Sequence, residues 1–291
     1  MKKSFLAIFI SLLGNLLIAQ NFDSLAVVNG NWITDTLAEG LLLKNLSISD
    51  NSLFNSNQNI YIVEIDENKN DFFFKLAASS TLTKTSEFCK INKAFVAING
   101  SFFFMKSGIP TDYLRVNGKK IASNTYKDGK RKTYKNGLLA IQNGHLSIIM
   151  PDTNIDFEDG LQHEEIMTSG PMLLFDHQTL SFIQNSFTLD RHNRTGVAIT
   201  DEGKILLIVV DGRMKEAAGM TLKEFASILK WLNAKTMLNL DGGGSSTLFI
   251  NKDNYGIINH PTDNGKYDHF GERKVANVLL LFLNKKESPT Y

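Results

Sequence analysis

The sequence predicts an α+β fold, a single β-rich domain with an antiparallel or mixed sheet and one long amphipathic helix. Three observations lead there. Short apolar runs recur between Gly, Asn and Asp turn residues. Phe is abundant at 20 and Pro scarce at 5, a balance that suits packed strands. Leu222 to Asn233 alone carries a clear helical period, with Leu222, Phe225, Ala226, Leu229 and Leu232 on one face and Thr221 with Glu224 as a capping box.

Length and composition bound the rest. The 291 residues, 43% hydrophobic and 21% charged, suffice for a sizeable core without staples. A net charge of +1 with no basic stripe argues against nucleic acid as a partner. Residues 1–20 read as a signal peptide: Lys2 and Lys3 precede an apolar run from Phe5 to Ile18, and Ala19 or Gln20 marks the expected cleavage point. The expected mature chain, 21–291, is exported (periplasmic or secreted), carries no further membrane span, and has one cysteine, Cys89, so it forms no internal disulfide.

In order, residues 21–60 are expected to be irregular with one or two edge strands, and Tyr61 to Ile65 is a short strand. Phe72 to Ala77 is a second strand, Thr81 to Ile91 a short helix, and Ala94 to Ile98 a strong strand. Tyr113–Val116 and Lys119–Ala122 flank Asn117-Gly118, and Leu138–Ile141 and Leu146–Met150 flank Asn143-Gly144; both read as hairpins. Ser123 to Lys135 is a basic surface loop, and residues 151–165 are acidic and irregular. Met172–Phe175 follows the Gly170-Pro171 break. Gly196–Thr200 and Ile205–Val210 form an antiparallel pair, and Val275–Leu283 closes the chain.

The chemistry gathers at strand ends. Lys235 to Ile250 runs through Asp241, Gly242, Gly243, Gly244, Ser245 and Ser246 between two apolar runs. Three glycines there cost backbone entropy, which is tolerable where a ligand or another chain segment must come close. Their amides can form an anion-binding nest, with the two serines as further donors. Asn99 and Gly100 end another strand, Asp211 and Arg213 a third, and Arg194 and Thr195 open the strand paired with it. If these ends meet, two carboxylates, two arginines and the nest share a pocket. Arginines suit a phosphate and paired carboxylates suit acid–base work, although Asp211–Arg213 and Asp241–Arg194 ion pairs would explain the same residues. The histidines show no zinc spacing. A divalent cation such as Ca or Mg, held by oxygens of Asp211, Asp241 and Asn99, is chemically reasonable.

Taken together, NGSFF (Asn99–Phe103), SGPML (Ser169–Leu173), RHNRTGVAI (Arg191–Ile199), VVDGR (Val209–Arg213), NLDGGGSST (Asn239–Thr247) and ERKVANVLL (Glu272–Leu280) resemble the phosphodiester glycosidases, over a motif-bearing core of about 94–283. Ser101 stands where that family usually has a second glycine. The resemblance implies hydrolysis of a sugar-1-phosphodiester on a phosphorylated glycan to free sugar and a phosphomonoester. It implies Asp241 and Asp211 as catalytic carboxylates. Asn99, Gly100, Ser169, Gly170, Arg194, Thr195, Arg213, Gly242–Ser246 and Arg273 would bind substrate or phosphate. Two other readings stay open: a metal-dependent phosphodiesterase or phosphatase that breaks P–O, and a non-catalytic glycan-binding protein that stacks sugars on Phe102–Phe104, Trp32 or Trp231.

Overall fold

The computed structural model describes residues 22–125, 134–154 and 156–284. The expected signal peptide and the middle of the basic loop, 126–133, lie outside the described residues. A helical stretch over 22–28 (α1) leads into β1 (Ile33–Ala38), β2 (Leu41–Leu53), β3 (Ser56–Ile65) and β4 (Phe72–Lys84). Then come α2 (Thr85–Ile91), β5 (Val96–Asn99), β6 (Leu114–Val116), β7 (Lys119–Ala122), β8 (Gly137–Gln142), β9 (His145–Ile149), α3 (Phe157–Gly160) and β10 (Glu165–Ser169). The remainder is β11 (Met172–Phe175), β12 (Gln178–Thr179), α4 (Ser186–Leu189), β13 (Arg194–Thr200), β14 (Ile205–Val210), α5 (Leu222–Trp231), β15 (Ala234–Asn239), a 3-10 turn (Gly243–Ser245), β16 (Leu248–Ile250) and β17 (Lys274–Leu283).

The strands form three sheets: eight strands in the order β1-β2-β3-β14-β13-β15-β11-β12, five as β7-β6-β10-β8-β9, and four as β16-β5-β17-β4. Every strand–strand pairing among the described residues is antiparallel. The expected α+β class is therefore corrected to a mostly β fold. Its one periodic helix, α5, is only ten residues long. The predicted capping box is present, Thr221 Oγ1 accepting from the Glu224 amide at 3.1 Å and Glu224 returning to the Thr221 amide at 2.8 Å. The helix stops early because Asn233 takes a left-handed φ of 61°, a common way to end a helix. Residues 21–60 are likewise not irregular: β1, β2 and the first half of β3 occupy them, β2 and β3 as a long hairpin.

Both Asn-Gly hairpins form as predicted. Asn117, Gly118, Asn143 and Gly144 all have positive φ, the backbone a two-residue hairpin turn requires. Alternation along the large sheet explains why β14, ILLIVV, is buried on both faces. Leu207 and Val209 point with Val63 and Leu238 into the core shared with the other sheets. Leu206, Ile208 and Val210 point the other way, beneath Leu222, Phe225 and Leu229 of α5. No helix among the described residues is long and apolar enough to cross a membrane.

Candidate active site

The ends of β5, β13 and β15 meet where the small and large sheets abut. The Asp241 amide donates to the Gly100 carbonyl at 3.1 Å, and the Leu240 amide to the Thr195 carbonyl at 2.9 Å. Asn99, buried at the end of β5, ties the three together. Its Nδ2 donates to the Asp241 carbonyl at 2.7 Å, while its Oδ1 accepts from Thr195 Oγ1 at 2.9 Å and from the Thr247 amide at 3.1 Å. Gly100 cannot carry a side chain, because a Cβ there would collide with the Asn277 side chain, which also accepts from the Ser101 amide.

At this junction opens a cleft of about 300 Å³, lined by Phe102, Ser186, Phe187, His192, Arg194, Arg213, Asp241, Gly242, Gly243, Gly244 and Arg273. Each of the three glycines makes room for a different neighbour. A Cβ on Gly242 would fall 2.7 Å from the Asn193 carbonyl oxygen, and one on Gly243 2.8 Å from the Arg213 guanidinium. One on Gly244 would fall 2.5 Å from both Arg273 and its carboxylate partner Asp263. Gly243 also needs its φ of 61°. The glycine run thus lets two guanidiniums close on the loop that carries Asp241.

The three arginines are held differently. Arg194 is fully buried, yet no carboxylate among the described residues pairs with it. Its Nε donates to the Met220 carbonyl at 2.7 Å, and Nη2 donates to the Phe187 and Asp190 carbonyls at 2.8 and 3.0 Å. Its Nη1 has no partner, and its guanidinium lies over the Phe187 ring, 5.1 Å from the centroid. Burial, and then the charge of Arg213, draw its pKa down to about 9, so it remains charged at neutral pH. Arg213 is exposed and donates to His192 Nδ1 at 3.3 Å. Burial and the two arginines lower the His192 pKa, so the ring is neutral with its proton on Nε2. Arg273 is paired with Asp263. Asp241 is the one carboxylate lining the cleft among the described residues. Burial pushes its pKa up to about 6 against the opposing pull of Ser245, Arg273, the Gly242 amide and Arg213.

Other predicted site residues stand behind this wall or away from it. Asp211 does not line the cleft. It is fully buried and accepts from the His260 amide at 2.8 Å, from Asn259 at 3.3 Å and from the Tyr267 hydroxyl at 3.2 Å, and sits 2.9 Å from His260 Nδ1. Neither of the two suggested aspartate–arginine pairs forms, since the ionisable partner of Asp211 is His260. Ser169 and Gly170 brace β15: Ser169 Oγ donates to the Asn239 carbonyl at 3.0 Å, and Asn239 Nδ2 donates to the Gly170 carbonyl at 2.9 Å. Ser246 is buried with an unpartnered hydroxyl, while the buried Ser245 hydroxyl faces the Asp241 carboxylate. The cation set suggested by the sequence does not assemble, because the Asn99 and Asp211 side-chain oxygens are already engaged in these hydrogen bonds. No group of three or more His, Cys, Asp or Glu side chains converges among the described residues.

Comparison with known proteins decides the family. The sequence model described as Phosphodiester glycosidase matches residues 92–282, most of the chain and every strand that reaches the cleft. The chain belongs to the phosphodiester glycosidase family. No curated protein matches it in sequence. Among solved structures, the catalytic domain of zebrafish N-acetylglucosamine-1-phosphodiester alpha-N-acetylglucosaminidase, auto-inhibited by its pro-peptide, superposes with a TM-score of 0.66 at 20% identity, covering 86% of each chain. A hypothetical protein from Synechocystis superposes with a TM-score of 0.62 at 15% identity, over 87% of this chain; the match spans 64% of the Synechocystis protein. At such identities these two structures establish the shared fold.

For a phosphodiester glycosidase, the sequence reading overlooked three cleft residues. His192 sits inside the RHNRTGVAI run with no spacing that singles it out, while Ser186 and Phe187 sit on α4, a single turn too short to show periodicity. The signal for α4 was Asn185 three residues before Thr188: Asn185 Oδ1 accepts from the Thr188 amide and Thr188 Oγ1 from the Asn185 amide, a reciprocal cap.

Proposed function

We propose that the protein is an exported hydrolase that cleaves a sugar-1-phosphodiester at its glycosidic C–O bond, releasing the free sugar and a phosphomonoester. The observation that carries this reading is the composition of one small cleft. Among the described residues a single carboxylate, Asp241, faces guanidiniums that form no ion pair, Arg194 held by carbonyls and Arg213 by a neutral imidazole. An ordinary glycosidase uses two carboxyl groups, one to protonate the leaving oxygen and one to act at the anomeric carbon. A phosphate leaving group changes that requirement. When the anomeric C–O bond breaks, the departing monoester gains negative charge, which guanidiniums stabilise directly. Water supplies the hydroxyl that ends on the sugar.

In this reading Arg194 Nη1 and Arg213 hold the phosphate, and Asp241 works at the anomeric centre as base for water or as nucleophile. The walls formed by Phe102 and Phe187, whose rings meet edge to face at 5.8 Å, pack against the sugar. Asp211 acts at a distance, by fixing Asn259 and His260 behind the Ser246 segment. The N-terminal basic and apolar pattern of residues 1–20 supports export.

The test offers purified protein a panel of sugars, each as a 1-phosphodiester and as a phosphate-free glycoside, in water labelled with oxygen-18. Release of free sugar from the phosphodiesters alone, with the label in the sugar, is the expected result. Label in the phosphate would instead identify a phosphodiesterase that breaks P–O.

A further inference from the structure

The chain has two tryptophans, and both line one cavity of about 470 Å³, larger than the Asp241 cleft and sharing no residue with it. Trp32 precedes β1 and Trp231 ends α5, so residues far apart in sequence converge here. The cavity opens by Thr200 and Lys204, at the end of the β13–β14 hairpin opposite Arg194 and Asp211. The seven residues of β13 place the two sites about 20 Å apart.

Both rings are pinned before any ligand arrives. Trp32 Nε1 donates to the Val27 carbonyl at 2.8 Å, and Phe54 stacks on Trp231 with centroids 5.9 Å apart. Around them stand Lys44, Lys204, Glu64 and Glu202, whose charges cancel internally, and Asp201, which lies 3.1 Å from His177. Lys44 lies 2.5 Å from Glu64, and Lys204 lies 2.7 Å from Glu202 and 3.7 Å from Glu64. The Asp241 cleft carries uncancelled positive charge; this cavity does not. A phosphate or sulfate finds no unpaired lysine in it, and each of its three carboxylates already faces a lysine or a histidine. The combination of fixed flat indoles with a rim of paired donors and acceptors suits a ligand with apolar C–H faces and many neutral hydroxyls.

We propose that this cavity is a second, non-catalytic binding site for a neutral oligosaccharide, with Trp32 and Trp231 as stacking surfaces and the lysine–glutamate network bonding the hydroxyls. The site stands independently of the chemistry at Asp241. It would give the protein a grip on glycan at the far end of the same sheet.

Because both tryptophans lie in this cavity, intrinsic tryptophan fluorescence reports on it alone. The probes are three neutral hexasaccharides, built from β-linked glucose, α-linked glucose and β-linked N-acetylglucosamine. At least one is expected to change the emission saturably, equally in wild type and in Asp241→Asn. The affinity is expected to fall about tenfold or more in Trp32→Ala and in Thr34→Arg. Thr34 is an exposed position on edge strand β1, so the arginine fills the cavity without disturbing the core. No response to any of the three, with no retardation in native gels cast with the matching polysaccharides, overturns the proposal. Equal binding by both cavity variants overturns it as well. Cleavage of small sugar phosphodiesters is expected to be unchanged in Thr34→Arg, which separates this site from the catalytic one.

Discussion

Asn99 grips Asp241 by its main chain rather than its carboxylate: Asn99 Nδ2 donates to the Asp241 carbonyl at 2.7 Å, and the carboxylate, which accepts from the Gly242 amide at 3.0 Å, faces the cleft. The same asparagine accepts from Thr195 and from the Thr247 amide, so one buried amide registers three strands against one another.

Replacing Asn99 with Ala should therefore injure both stability and catalysis. Two buried donors lose their acceptor, a loss of about 1–3 kcal/mol each before relaxation. A misplaced Asp241 loop should lower kcat by about 100-fold, with a smaller change in KM. Thermal denaturation and steady-state kinetics on a sugar phosphodiester check both. Undiminished kcat would show that Asp241 keeps its position without Asn99.

The Asp241→Asn variant should lose turnover while keeping the fold. In the wild type, kcat/KM should rise with pH through about 6, since the working form is the carboxylate. The effect on stability runs the other way. Burial raises the folded-state pKa above the unfolded value, so this group favours folding below about pH 4 and loses that contribution as pH rises through 6. The loss should be about 2 kcal/mol, discounted for the part of the group that meets solvent in the cleft. Asp241→Asn should therefore melt higher than wild type at pH 8 and match it near pH 4.

Removing Arg213 tests the phosphate grip without touching the core, because this side chain is exposed. Arg213→Ala should raise KM for a phosphodiester about tenfold, the equivalent of about 1.4 kcal/mol, and leave the melting temperature nearly unchanged. Arg194→Lys is the harsher change. A lysine cannot reproduce the fork that spans Met220, Phe187 and Asp190, so stability and activity should fall together.

Glu165 offers a prediction remote from the cleft. It is almost fully buried on β10, where it accepts from the Leu76 amide, and burial pushes its pKa up to about 7. The folded state prefers the protonated acid, so its stabilising contribution is full below about pH 4.5 and is lost as pH rises through 7. Glu165→Gln keeps the acceptor and removes the charge. It should stabilise the protein at pH 8 by on the order of 2 kcal/mol and change little at pH 4. Denaturant melts at the two pH values decide it.

Much of this was legible before the fold was known, and the failures have physical causes. Asn-Gly pairs announce hairpins because their positive φ is a local property, and both appeared where expected. The glycine run announced close approach, but not that Arg213 and Arg273 would be the groups approaching. Asp211 looked like Asp241 from the sequence, each an aspartate followed by glycine at a strand end. Only tertiary packing separates them, burying one among His260, Asn259 and Tyr267 and opening the other to the cleft. The helix was overread because apolar spacing ran on to Leu232, while the left-handed Asn233 beside it set the limit. Residues 21–60 were underread because Asn and Ser dominate their exposed edges and mask the alternation of β2.

The order of strands in the small sheet bears on how the protein comes to life. β17 is the last strand along the described chain, yet it lies inside its sheet, between β5 and β4, and its Asn277 seats Gly100 and Ser101 beside Asp241. A chain emerging from its N-terminus has only the three-residue β16 to pair with β5 until β17 arrives, some 175 residues after β5. Such long-range closure makes for slow folding. Until that strand arrives, β4 and β5 lack their shared partner, and their open edges can recruit other chains. Activity should therefore appear all at once, at the final docking event of folding, and truncations that remove β17 should yield inactive, aggregation-prone protein.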